Sequence, residues 1–169
     1  MDTGLLILRL VLGLLMAAHG AQKLFGWFGG HGLAGVSGMF ESLGFRPGRL
    51  FAVAAGASEI GSGLLMALGL LGPVGPALMV SVMVVAAISV HAPHGLFAMS
   101  NGIEVPLLYG IGAAALTLTG PGLYSLDALL GFASLWTPPV SWAALVAGIL
   151  GGALNLALRR PPATAPVAA

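Results

Sequence analysis

Ionisable side chains are scarce in this sequence, and the few present interrupt long apolar runs, so each is a candidate for chemistry. Arg9 lies inside the apolar stretch 4–24, and His19, Gln22 and Lys23 lie near its end. Glu59 is the strongly polar residue of stretch 50–71, His91 and His94 follow stretch 74–90, and Asn101 and Glu104 precede stretch 105–119. A charge near the centre of a bilayer costs on the order of 3 kcal/mol by insertion scales, so each such group needs a partner or a task. An acid and an imidazole at matched depth can move protons, while a guanidinium or ammonium can hold an acceptor oxygen.

The elements that must position these groups follow from composition. Of 169 residues, 58% are hydrophobic, 7% are charged and 27 are Gly, and the mean hydropathy is +1.03. Water-soluble domains carry roughly 25% charged residues, so either lipid or a large protein partner must cover this chain, and the reading taken is a membrane protein. The expectation is an all-α polytopic membrane bundle with five spans, 4–24, 50–71, 74–90, 105–119 and 140–158, each near the roughly 20 residues a crossing needs. Residues 26–49, broken by glycines, suit an interfacial or partly re-entrant segment. Residues 123–136, with Asp127, suit an amphipathic segment along the interface. The Pro- and Ala-rich tail from 161 onward is expected to be disordered.

Several functions have no support. There is no Cys, which excludes disulfides, thiolate chemistry and Cys-ligated metal centres. A net charge of +1 gives no reason to expect nucleic acid. No hydrolase, phosphate-loop or dinucleotide pattern is present. The opening residues lack a basic n-region and cleavage site, so the first span is expected to be retained. Lys23, Arg46, Arg49, Arg159 and Arg160 fall on one side of a five-span chain, which predicts an outside N-terminus and a cytoplasmic C-terminus.

Depth counted from the span ends at 1.5 Å per residue places Glu59 between His19 and Arg9, and an Arg9–Glu59 ion pair is expected. That pair either fixes helix register or forms part of a polar pocket. His19 either hydrogen-bonds a neighbouring carbonyl or Glu59, or serves a ligand, and Lys23 either snorkels to the headgroups or joins the pocket. His91 and His94, three apart, invite a metal reading with Glu104, but Pro93 disfavours one helix there, and no metal site is assigned.

The strings Leu8-Arg9-Leu10 and His19-Gly20-Ala21-Gln22-Lys23-Leu24-Phe25-Gly26 resemble the opening of the DoxX family of small bacterial membrane proteins. So do Phe40-Glu41-Ser42-Leu43-Gly44, Glu59 in its glycine-rich span, Asn101-Gly102-Ile103-Glu104-Val105-Pro106, and Gly120-Pro121-Gly122-Leu123-Tyr124-Ser125-Leu126-Asp127. The resemblance implies a four-helix core over residues 1–130, to which residues 131–160 add a further membrane helix. It also implies a link to membrane oxidoreductase assemblies and a bacterial inner-membrane location. Arg9, His19, Gln22, Lys23, Glu59, Asn101 and Glu104 match the family's polar set.

Two functions follow as expectations. In the first, the chain is a quinone-associated subunit of an oxidoreductase or electron-transfer assembly without its own redox centre. His19, Glu59 and Lys23 then carry proton transfer, and Arg9, His19, Gln22, Asn101 and Glu104 hold the head group, with a redox partner supplying electrons. In the second, it is a non-catalytic accessory subunit whose small-residue faces, such as Gly148, Gly151 and Gly152, and whose fifth helix pack against a larger membrane complex. A transporter with Glu59 as proton relay finds no inverted repeat to support it.

Overall fold

A computed structural model describes residues 1–160, and the tail from 161 onward lies outside the described residues. The described chain is all-helical: α1 (Asp2–Phe25), α2 (Gly32–Ser42), α3 (Gly48–Leu68), α4 (Val74–Ala86), α5 (Glu104–Thr119), a single turn α6 (Leu126–Leu129) and α7 (Pro138–Ala157). A π-helical turn, Ala87–His91, and a 3-10 turn, Ala92–His94, prolong α4, so the apolar helix runs from Val74 to His94. The chain punctuates these elements where its chemistry requires. Gly26 (φ 72) and Gly69 (φ 64) take the left-handed conformation that closes α1 and α3, and Pro138 and Pro139 occupy the first turn of α7, where no amide bond is lost.

Among the described residues, four helices are long and apolar enough to cross a membrane. The fifth, α5, has 16 residues and spans about 24 Å, short of a hydrocarbon core of about 30 Å. Helix α2 is too short to span, and it packs against α3 through Val36, Phe40, Phe45 and Ala52.

Two seams of small residues set the packing. A Cβ on Gly13 would lie 2.5 Å from the Gly63 carbonyl oxygen and 2.8 Å from the Ala67 amide. One on Gly20 would lie 2.5 Å from the Gly56 carbonyl oxygen, so α1 and α3 touch backbone to backbone. Gly148 and Gly152 play the same part where α7 meets Ala77, Ser81 and Val84 of α4. The central core is rich in methionine: Met16, Met66, Met79 and Met83 pack with Val80, Leu116 and Leu145 from five helices.

This arrangement corrects two expectations. The added helix α7 docks on this chain's own α4 and α5, so its glycine face is already occupied. Residues 123–136, expected as one amphipathic segment along the interface, form only the single turn α6 and a 3-10 turn at Phe132–Leu135, with their acid turned inward. Asp127 is fully buried, and its carboxylate accepts from the Leu71 and Gly72 amides at 2.9 and 2.5 Å and from Trp136 Nε1 at 2.7 Å. One carboxylate thereby ties the α3–α4 turn to the connection between α6 and α7, and it satisfies the Gly72 amide, which would otherwise be buried unpaired.

Candidate functional site

The α1–α3 seam decides which polar groups meet. Gly13 faces Gly63 and Ala67, and Gly20 faces Gly56 and Ile60, so in this antiparallel pair Glu59 stands level with the part of α1 near His19. Lys23 is one helical turn farther along, within reach of a long side chain, and its ammonium pairs with Glu59 Oε1. Arg9 is about ten residues away in the other direction, roughly 15 Å along the axis, and out of reach.

The expected Arg9–Glu59 pair therefore does not form. Depth counted from span ends assumed that α1 and α3 start in one plane, whereas α3 projects beyond the end of α1 alongside α2. Arg9 is buried at the opposite end of the bundle. It donates to the Pro121 and Tyr124 carbonyl oxygens, with Nε left without a partner.

Glu59 is 3% exposed. Its Oε1 accepts from Lys23, but its Oε2 is buried with no hydrogen-bond partner. Beside this pair is a cavity of about 270 Å³ walled by α2, α3, α4 and α7. Phe40, Phe45 and Phe51 give it an aromatic side, Val82 and Val85 an aliphatic one, and Ser58, Ser81, Ser89, His91 and Asn155 add polar atoms. Phe45 is held in place from outside: the Arg159 guanidinium stacks over its ring at 5.6 Å while Arg159 Nε donates to the Leu43 carbonyl oxygen. Helix α7 thus adds Asn155 to the cavity wall, and Arg159, just beyond its end, backs the wall residue Phe45.

The other sequence-predicted residues lie elsewhere. His19 is exposed on α1, with Nδ1 3.1 Å from Gln22 Oε1 and its ring edge-on to Tyr109, and Gln22 Nε2 donates to the Phe28 carbonyl oxygen. This pair stands level with Glu59 but does not line the cavity. Glu104 accepts from the Ala98 amide at 2.8 Å and so caps the connection before α5. Asn101, at φ 62, turns that connection, and its carbonyl oxygen lies 2.8 Å from His91 Nδ1. His94 bonds to the Val90 carbonyl oxygen, and among the described residues no three His, Asp or Glu side chains group as metal ligands.

Sequence reasoning missed Asn155, Ser58, Ser81 and Ser89 as wall residues and considered His91 only for metal. Asn155 carried a readable signal, being a lone amide in an apolar span. The small hydroxyls carried none, since serine in a membrane helix commonly bonds its own backbone, as Ser89 does to Val85.

Fold and site together define a multi-pass helical membrane protein with a charged pair at an intramembrane cavity. The DoxX family model matches residues 4–92, just over half of the chain, and the chain belongs to the DoxX family. No curated protein and no solved structure matches it.

Proposed function

We propose that the chain is a quinone-associated membrane subunit of an oxidoreductase or electron-transfer assembly, with the cavity beside Lys23 and Glu59 as its head-group site. The observation that carries this reading is Glu59 Oε2, a buried acceptor without a donor at the wall of an apolar, aromatic-sided chamber. Leaving such a group unanswered costs about 1–3 kcal/mol or more, and a donor arriving in the cavity removes that cost. A quinone supplies two-electron chemistry coupled to the uptake of two protons, and its hydroxyl form is such a donor.

The chain's own residues then have distinct tasks. Lys23 offers its remaining N–H groups to an acceptor oxygen, Glu59 holds or releases a proton at Oε2, and the Phe40–Phe45–Phe51 side excludes water. A volume of about 270 Å³ lies at the low end for small-molecule sites, fitting one ring system while an isoprenoid tail stays in lipid. Electrons come from a redox partner. His19, an exposed imidazole inside the span whose Nδ1 is engaged by Gln22, marks a face for that partner. Photolabelling with a short-tailed azidoquinone tests this: label is expected on α3 and α4 peptides and should fall at least tenfold in Glu59→Gln and Lys23→Met. Labelling that ignores both substitutions would overturn the site.

We place the protein in a bacterial inner membrane with its N-terminus outside. Lys23, Arg46, Arg49, Arg159 and Arg160 gather at one end of the bundle, while Asp2 and Asp127 lie at the other. The natural absence of Cys allows single-cysteine mapping: Ser100→Cys should resist an impermeant maleimide added from outside, and Leu123→Cys should react. The reverse pattern would invert the orientation.

A further inference from the structure

We infer that His91 is the proton-relay residue that connects the aqueous end of the bundle with Glu59, an inference that rests on the quinone reading above. Three observations converge on this side chain. His91 lines the same cavity as Glu59 yet is only half-buried, so it borders both the chamber and the outside. Its Nδ1 lies 2.8 Å from the Asn101 carbonyl oxygen, which can only accept, so the ring donates from Nδ1 and keeps Nε2 as the atom that takes and gives a proton. It ends a π-helical turn, a local widening of α4 that recurs at functional sites.

The competing groups are committed. Lys23 is an ammonium bound to Glu59 Oε1, Glu104 is held by the Ala98 amide, and His94 bonds to Val90. A cavity of about 270 Å³ has room for several waters at about 30 Å³ each when the head group leaves part of it free.

The step balances as follows. The resting Glu59 carboxylate, paired with Lys23 through Oε1, first takes a proton at Oε2 from bulk water by way of His91, and for each electron received from the partner this acid gives its proton to a head-group oxygen, breaking its O–H bond. The resulting carboxylate takes a proton from His91 Nε2 through cavity water, and Nε2 is reprotonated from bulk water. Two such cycles supply the two protons that accompany two electrons.

Voltammetry of the full chain in lipid nanodiscs on an electrode, with a decyl-substituted benzoquinone as probe, tests the relay because the electrode replaces the redox partner. His91→Gln, which keeps a donor for the Asn101 carbonyl, and His91→Ala are both expected to retain the bound-quinone wave. Proton-coupled transfer should slow at least about tenfold in each, and added imidazole should restore the rate in His91→Ala. Unchanged rates in both variants, or no rescue by imidazole, would overturn the relay while the site stands. Loss of the bound wave in His91→Gln would instead make His91 a ligand of the head group and also overturn it. Absence of a bound wave in the unsubstituted chain would bring down the quinone reading itself.

Discussion

Removing the ammonium at residue 23 isolates a carboxylate that is 3% exposed and already lacks a donor at Oε2. Breaking a deeply buried pair costs about 3–5 kcal/mol, but the Lys23 side chain is 25% exposed, so about 1–3 kcal/mol is the appropriate scale here. Lys23→Met should therefore lower the thermal midpoint in detergent, and adding Glu59→Gln should recover part of the loss, with a coupling energy on the order of 1 kcal/mol. Strictly additive effects would show that the pair contributes nothing to the fold. Asp127→Ala is also expected to destabilise, because the buried Gly72 amide loses its acceptor at about 1–3 kcal/mol and the less buried Leu71 and Trp136 donors lose theirs at a smaller cost, and Trp136 fluorescence should report the opened turn. At this scale the sequence was only partly readable. Hydropathy singles out Glu59 and Lys23 as anomalies, but which cation meets which acid depends on a helix register that hydropathy does not contain. The burial of Asp127 was not legible, because its three donors come from Leu71, Gly72 and Trp136, the first two more than fifty residues away.

Register is a property of the helix pair, and glycine determines it. The five apolar stretches were legible because a bilayer demands about 20 apolar residues per crossing, and the shortness of α5 was visible as well. The α1–α3 offset was not, because it depends on which of many glycines face a neighbour. Gly13 and Gly20 do, whereas a Cβ on Gly61 of the same pair would meet nothing within 4 Å. Gly61→Ala should accordingly leave stability within about 0.5 kcal/mol of the parent or raise it slightly, since alanine favours helix. Gly13→Ala must push two backbones apart, an overpacking penalty of about 1–3 kcal/mol, and should also weaken azidoquinone labelling because Lys23 and Glu59 are aligned by that contact. Equal behaviour of the two alanine variants in thermal unfolding would refute the seam as the source of the register.

For the molecule as a whole, the decisive question is whether α7 belongs to the site or to a partner. A helix beyond a four-helix core reads from sequence as a docking element, and its glycines strengthen that reading. In the fold those glycines are consumed against α4, Asn155 enters the cavity wall, and Arg159 clamps Phe45 from behind. A chain ending at Thr137 should lose one wall of the cavity and expose the α4 groove that Gly148 and Gly152 fill. Its thermal midpoint should fall, and labelling by the azidoquinone should vanish. Gly148→Leu gives a milder version with every residue present, since a Cβ there would already lie 3.1 Å from the Ala77 carbonyl carbon. If both altered chains label as the parent does, the cavity is complete without α7, and the helix becomes free to serve an accessory role against another protein. If labelling falls in step with α7 displacement, the fifth helix is part of the head-group site and the partner must bind elsewhere, where exposed His19 interrupts the apolar surface of α1.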